Sequence, residues 1–565
     1  MAKLKLSDAL ALAQADLQSG RLAEAQAICQ AVLAAVPDEP EANRLFALTV
    51  LAQGYHDHAA QLLQQAAEMG CSWICHDNLS YVLKMIGRFE EAEAAARRAL
   101  ELAPNEDTVL CNLAAALQAQ GRLDEASQYY REALHRSAKP TIHSSALCCE
   151  QYRPDVSLAH LAAAHAEWDL RHGVPLTPSR PGHVNSPLPD RPLRVGFVSP
   201  DFGTHPVGYF LAGLLEHVDR QQWHTICYSD RDKLDAMTER LRRATGSWLD
   251  ARGLPDDALA AQIRRDRIDV LFDLAGHTGF NRLLVFARKP APIQVTWLGY
   301  VGTTGLSAMD YLLADRHQVP ADADRHYRER VLRMPEGYVC YQPSSVAPAV
   351  GPVPARSRGF VTFGSLNSPS KINPAVAAVW AEILKRVPGS KLMLKYCGFD
   401  APATGRRVRE MFASRGIAAD RLFLNGWSAH ADALACYNQV DLALDPFPYG
   451  GGLTTCEALW MGVPVITCPG ETFASRHALS HLSSVRFTDT VARDFREYVE
   501  LAVGWAEDLR RLEAVRMSLR PQMAASPLCD ARRFAADFCR LIRKVWHQWC
   551  SQQRGSKSDT LACFT

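Results

Sequence analysis

At 565 residues and 48% hydrophobic side chains the chain has the length for three or four domains and ample apolar material for buried cores, which excludes a disordered or fibrous protein. Lys plus Arg number 62 against 61 for Asp plus Glu, a net charge of +1, so no global field draws the chain to nucleic acid or to an anionic membrane. Residues 1–10 carry no charged-then-apolar leader and no apolar run reaches the roughly 18 residues of a membrane span. The expectation is a cytoplasmic protein with neither nucleic acid nor membrane as partner.

From residue 9 to about 139 the sequence repeats. Gly20, Gly54, Gly87 and Gly121 recur at intervals of 34, 33 and 34, each with an alanine five places on: Ala25, Ala59, Ala92 and Ala126. The period resembles tetratricopeptide repeats, helix pairs of this length. Glycine fits the tight turn between two helices and alanine their close approach. Pro37 and Pro104 close second helices; Cys71 replaces that proline in the second repeat, and in the fourth Pro140 is displaced by two. Such arrays leave a groove for peptide or protein. Asn78 and Asn112, nine residues before Gly87 and Gly121, sit at equivalent places where their amides either line the groove or are ordinary surface groups. The array is assigned to 1–145, and 146–190 to a capping helix (154–171) and a proline-rich linker whose composition continues over 175–192.

The sixteen cysteines, with Cys29, Cys227, Cys397 and Cys468 inside apolar runs, lack disulfide-framework or paired CxxC spacing, so reduced buried thiols are expected. Neither Cys71 with Cys75 nor Cys148 with Cys149 has a second cluster to complete a four-ligand site.

At 193 the periodicity changes. Buried strands are expected at 193–199, 225–229, 270–274 and 293–298, with helices at 207–218, 237–244 and 258–265 between them. After a proline-rich stretch at 343–354 the pattern restarts, with strands at 360–363, 391–396, 422–424, 441–444 and 464–467 and helices at 374–386 and 429–438. The fold class is therefore an α-helical repeat array followed by α/β, as two doubly wound Rossmann-like domains at 191–355 and 356–550. A final helix at 530–549 and a loose polar tail at 551–565 end the chain.

Ligands of such sheets bind beyond the carboxyl ends of the strands. There, in the second domain, lies 445–464, Asp-Pro-Phe-Pro-Tyr-Gly-Gly-Gly-Leu-Thr-Thr-Cys-Glu-Ala-Leu-Trp-Met-Gly-Val-Pro. Three glycines running into a helix let the amides from 450 to 454 face outward together, an anion site that suits a phosphate. Glu457, one turn on, offers two acceptor oxygens to a sugar diol. Asp230 with Asp232, and Asp322 with Asp324, formally match the DxD of metal-dependent transferases, but neither pair lies in the second domain.

Five segments carry a resemblance to one family: 201–206 (Asp-Phe-Gly-Thr-His-Pro), 290–300 (Pro-Ala-Pro-Ile-Gln-Val-Thr-Trp-Leu-Gly-Tyr), 309–311 (Met-Asp-Tyr), 370–374 (Ser-Lys-Ile-Asn-Pro) and 469–476 (Pro-Gly-Glu-Thr-Phe-Ala-Ser-Arg). With the repeats, the chain resembles a bacterial O-linked N-acetylglucosamine transferase. That resemblance implies a GT-B glycosyltransferase fold, UDP-N-acetylglucosamine as donor, inversion at the anomeric carbon, protein serine or threonine as acceptor, and no cofactor or metal. It implies that Lys371 meets the donor diphosphate and that His205 is the proposed general base. Asn367, Ser428, His430, Gly452, Leu453, Thr454 and Glu457 fall at donor contacts, and His277, Leu298 and Gly299 on the sugar and acceptor side. Ala433 and Cys436 stand where animal members have a histidine and an arginine near the uracil, and Leu453 replaces a threonine. Other readings are the same donor site with a glycan or small-molecule acceptor, and a repeat adaptor whose second half only senses nucleotide.

Overall fold

A computed structural model of the protein describes residues 5–70, 72–180 and 182–562. Four consecutive helix pairs build the repeat array: Leu6–Gln18 with Leu22–Ala35, Pro40–Ala52 with His56–Glu68, Trp73–Met85 with Phe89–Leu102, and Asp107–Ala119 with Leu123–Arg136. The repeat glycines turn each pair in the left-handed region, with φ of 73, 87, 80 and 78°. Ala25, Ala59, Ala92 and Ala126 have no exposed surface, as close helix approach requires. Pro140 does not end a repeat helix. It opens a further one, Pro140–Glu150, because at the first helical position its missing N–H costs nothing. The expected capping helix follows at Leu158–Trp168.

Cys75 is disulfide-bonded, which corrects the expectation of reduced thiols at that position, while among the described residues thirteen other cysteines are free. Cys71 lies outside the described residues, and so does the comparison made for it.

The first α/β domain is a seven-stranded parallel sheet: β1 Leu193–Ser199, β2 Trp223–Ser229, β3 Ser247–Asp250, β4 Val270–Asp273, β5 Ile293–Thr296, β6 Tyr311–Asp315 and β7 Arg330–Met334, ordered β3-β2-β1-β4-β5-β6-β7. Sequence reading misses β3, β6 and β7. The edge strands β3 and β7 are half exposed and present no apolar run. The second sheet contains β8 Thr362–Ser365, β9 Lys391–Lys395, β10 Leu422–Asn425, β11 Leu442–Leu444 and β12 Val465–Ile466, ordered β10-β9-β8-β11-β12. Here β8 sits two residues beyond the expected 360–363. In each sheet the chain reverses its direction of travel once, between β1 and β4 and between β8 and β11. These switch points open the crevices where α/β sheets take ligands.

The last helix does not stop near 549. It runs as Ala531–Ala562, since no proline follows to end it, so the expected loose tail is helical through 562. This helix crosses back onto the first domain, where Trp297 stacks on Phe534 and Trp546 Nε1 donates to the Leu188 carbonyl at 3.1 Å. One apolar core thus runs through both α/β domains.

The repeat array docks on the second domain. Glu90 Oε1 accepts from the Ala403 and Thr404 amides at 2.5 and 2.9 Å, capping the helix Pro402–Ala413 from outside it. Ser370 Oγ donates to the Gln118 carbonyl at 2.8 Å. A Cβ at Gly121 would lie 2.6 Å from the Pro369 carbonyl oxygen, so this repeat glycine also allows the array to reach the segment carrying Lys371. Among the described residues no helix is long and apolar enough to cross a membrane.

Candidate active site

His205 follows β1 and caps the helix Pro206–His217, its Nδ1 accepting from the Val207 amide at 3.3 Å. Asp201 Oδ2 stands 3.8 Å from the same nitrogen. Burial lowers the proton affinity of His205, opposed by Asp201 and helped by Arg231. While Nδ1 accepts, a neutral ring carries its proton on Nε2 and donates from there. The other tautomer, with Nδ1–H toward Asp201, leaves Nε2 as the base.

Across the crevice, the segment after β8 delivers Asn367 and Lys371. Asn373 caps the following helix, Pro374–Arg386, by accepting from the Ala375 and Val376 amides, and donates to the Phe447 carbonyl at 2.7 Å. That bond ties the lysine segment to the loop after β11. Lys371 Nζ donates to the Gly450 carbonyl at 2.8 Å and to Asn367 Oδ1 at 3.1 Å, above the Tyr449 ring at 4.4 Å. Two of its three N–H donors are thus used and one remains. Burial brings its pKa from 10.5 down to about 8, opposed by Asp445.

The glycine run offers fewer amides than expected. Gly450 N–H donates to the Ala474 carbonyl and Gly451 N–H to Asp445, which removes both from the outward-facing set. The Gly452, Leu453 and Thr454 amides, at the start of the helix Leu453–Trp460, have no acceptor among the described residues. They lie at the positive end of the helix, one residue from the carbonyl that Lys371 holds. Thr454 Oγ1 donates to Asn367 Oδ1 at 3.2 Å, joining the helix start to the lysine segment.

Glu457 does not face the crevice alone. Its Oε1 is 2.8 Å from His430 Nε2, while His430 Nδ1 is 3.2 Å from the Tyr209 hydroxyl of the first domain. The Glu457 hydrogen bond raises the proton affinity of His430 against desolvation. Tyr209 was missed in the sequence. Its signal was its spacing, one helical turn after His205 and therefore on the same helix face. Ser428 lies on the loop between β10 and the helix His430–Cys436, and beside it Trp427, also missed, is 75% exposed.

Residues 150–346 and 356–538 match the glycosyl transferase family 41 model, and residues 10–70 and 87–146 match tetratricopeptide repeat models. The chain belongs to glycosyl transferase family 41. A tomato (Solanum lycopersicum) protein named probable UDP-N-acetylglucosamine–peptide N-acetylglucosaminyltransferase SPINDLY is 40% identical over 395 residues, 69% of this chain and 42% of its own length. An Arabidopsis thaliana protein with the same enzyme name, SEC, is 31% identical over 374 residues, 64% of this chain and 38% of its own. The match therefore spans less than half of either plant relative. A solved lysine-to-methionine mutant of Thermobaculum terrenum O-GlcNAc transferase is 34% identical with TM-score 0.82, covering 97% of this chain and 98% of that one. The two doubly wound domains are the GT-B arrangement, preceded by the repeats.

Within this family 41 chain the remaining expected residues fall outside the crevice contacts just described. His277 is buried at the seam with the repeat array; Nδ1 meets Ser144 Oγ and Nε2 the Thr304 carbonyl, both at 2.9 Å, so neither nitrogen is free. Leu298, at φ 74°, and Gly299 form a tight turn after β5, and a Cβ at Gly299 would lie 1.9 Å from the Leu274 carbonyl oxygen. Asn112 Nδ2 donates to Asp77 Oδ1 at 2.8 Å, whereas Asn78 Nδ2 is buried with no hydrogen-bond partner among the described residues, so the two asparagines are not equivalent. Both oxygens of Asp230 are held by Arg282, at 2.6 and 2.9 Å, and Asp324 pairs with Arg333.

Proposed function

We propose that the protein is an inverting glycosyltransferase that moves N-acetylglucosamine from UDP-N-acetylglucosamine to serine or threonine hydroxyls of proteins in the cytoplasm. One observation carries this reading: the Lys371 ammonium, with a donor to spare, stands beside the three unpaired amides of Gly452, Leu453 and Thr454 at a sheet switch point. A diphosphate there meets one cation and a helix start as negative charge grows on the leaving oxygen, the electrostatic effect that dominates such transfers. In this reading neither a metal nor a cofactor supplies that charge. The names of the plant relatives and of the Thermobaculum enzyme support the donor and acceptor classes.

Asn367 orients the lysine, and Glu457 keeps Oε2 for the ribose while Oε1 holds His430. Ser428 flanks the base. His205 takes the acceptor proton in the tautomer with Nδ1–H toward Asp201, a role worth roughly 100- to 10,000-fold. His277, Leu298 and Gly299 shape the acceptor wall from behind, and the repeat groove with Asn78 and Asn112 presents the protein substrate.

UDP release from UDP-N-acetylglucosamine, measured with and without candidate acceptor peptides and in the presence of chelator, tests the reading. Peptide-dependent release that survives chelation is expected. Binding of UDP without turnover would leave only a nucleotide-sensing adaptor, and complete loss on chelation would overturn the charge assignment.

A further inference from the structure

Asp445, directly after β11, opens the glycine stretch but has no part in the reading above. It is 5% exposed. Its Oδ1 accepts the Gly451 N–H at 2.6 Å and its Oδ2 accepts the Thr467 hydroxyl at 2.7 Å. Lys371 Nζ donates to the Gly450 carbonyl at 2.8 Å. The Gly450 carbonyl and the Gly451 N–H are the two ends of one peptide unit. An anion thus faces its hydrogen and a cation its oxygen, so the peptide dipole lies along the field of both charges. Turned over, the same peptide would aim its oxygen at the carboxylate and its hydrogen at the ammonium.

Steric packing alone does not fix this turn, because the two residues are glycines. They are also required. A Cβ at Gly450 would come 2.8 Å from Asp445 Oδ2, and one at Gly451 would come 2.6 Å from Thr454 Oγ1. The charges therefore set the orientation of the peptide that leads into the Gly452–Thr454 amides.

We propose that Asp445 is a positioning residue for the transfer: through the Gly450–Gly451 peptide it fixes the direction of the Lys371 ammonium and aims it, with the Gly452–Thr454 amides, at the same leaving diphosphate. This rests on the function proposed above. The other titratable groups around the pair are neutral near pH 7. Tyr449 lies under the ammonium and Tyr498 donates to the Asp445 backbone carbonyl, both with raised phenol pKa values. Burial keeps His477 uncharged and pushes the Cys468 thiol up to about 11. Asp445 is accordingly the anion that keeps Lys371 charged, and its loss lowers the pH at which Lys371 gives up its proton.

The test uses the full chain as wild type and as Asp445→Asn, which keeps the volume and an acceptor for Gly451 but removes the charge. Competitive acetylation across pH, read lysine by lysine in a mass spectrometer, gives the Lys371 midpoint without any donor. The expected result is a midpoint at least one unit lower, which raises the ratio of neutral to charged Lys371 at pH 7 by about tenfold. The alkaline limb of kcat for UDP release moves down by the same interval, and KM for the donor changes less. Asp445→Ser, a smaller neutral group, must move the midpoint the same way and serves if the asparagine variant fails to fold. An unchanged midpoint in a folded neutral variant overturns the proposal, whatever its melting temperature. Absence of turnover in the wild type would instead overturn the proposed function, and the acetylation result would still decide the role of Asp445 toward Lys371.

Discussion

Replacing Lys371 by methionine separates function from stability in a direction opposite to that of an ordinary buried contact. Methionine keeps the unbranched stem against Tyr449 and removes the ammonium. Burial holds the lysine at about 8 instead of 10.5. At about 1.4 kcal/mol per unit, the folded protein carries a penalty of roughly 3 kcal/mol for keeping the side chain charged. Because the folded value lies below the unfolded one, the penalty is complete below about pH 8 and disappears as the pH passes 10.5. Against this gain, the Gly450 carbonyl loses its lysine donor, at about 1 to 3 kcal/mol for a buried acceptor. Asn367 Oδ1 keeps Thr454. The balance is a variant as stable as the wild type or up to about 2 kcal/mol more so at pH 7, a melting temperature unchanged or slightly higher. UDP release should fall by about 100- to 1,000-fold or more, the loss expected for one preorganised charge donor. Thermal melts at pH 7 and pH 10, beside UDP release, check both halves. A melting temperature lowered by several degrees at pH 7 would show the lysine to be a structural support, and turnover within tenfold of wild type would end its leaving-group role.

Tyr209→Phe removes the hydroxyl that joins the first domain to His430, and UDP titration calorimetry should show affinity weaker by about three- to tenfold, the worth of one hydrogen bond, in an intact fold. Asp201→Asn should depress kcat with little change in donor KM, because Nδ1–H of His205 then faces a neutral amide in place of a carboxylate; equal loss in donor affinity would place Asp201 elsewhere in the mechanism. Since burial lowers the proton affinity of His205, the acid limb of kcat/KM should lie below pH 6.5 and vanish in His205→Asn, which a pH–rate profile reads directly. Glu90→Ala uncaps the helix Pro402–Ala413 and should cost about 1 to 2 kcal/mol, seen as faster limited proteolysis between the repeats and the second domain.

Much of the architecture was legible because it rests on local rules. A glycine every 33 or 34 residues followed by a small residue dictates helix pairs, and buried apolar strands alternating with helices dictate parallel sheets. Lys371 and the glycine run could be placed at one crevice because both follow strands of the same domain. Strands β3 and β7 escaped because an edge strand needs no apolar run, and the helix at Pro140 because the same residue ends one helix or begins another. The final helix ran on because polar composition reduces burial without supplying a stop signal.

The sequence by itself determined the order of domains, the turns of the repeats and which loops meet at the crevice, since each follows from the spacing of residues near one another in the chain. Only the tertiary structure decided how the charges there are shared. Glu457 is bound to His430, and His430 is held by Tyr209 from 221 positions away. Likewise Asp445 and Lys371 grip opposite ends of one peptide, which uses one of the amides that the glycine run had promised, and the Ala474 carbonyl takes a second. Hydrogen-bond partners between distant segments depend on how packed elements come together, and no local periodicity encodes that.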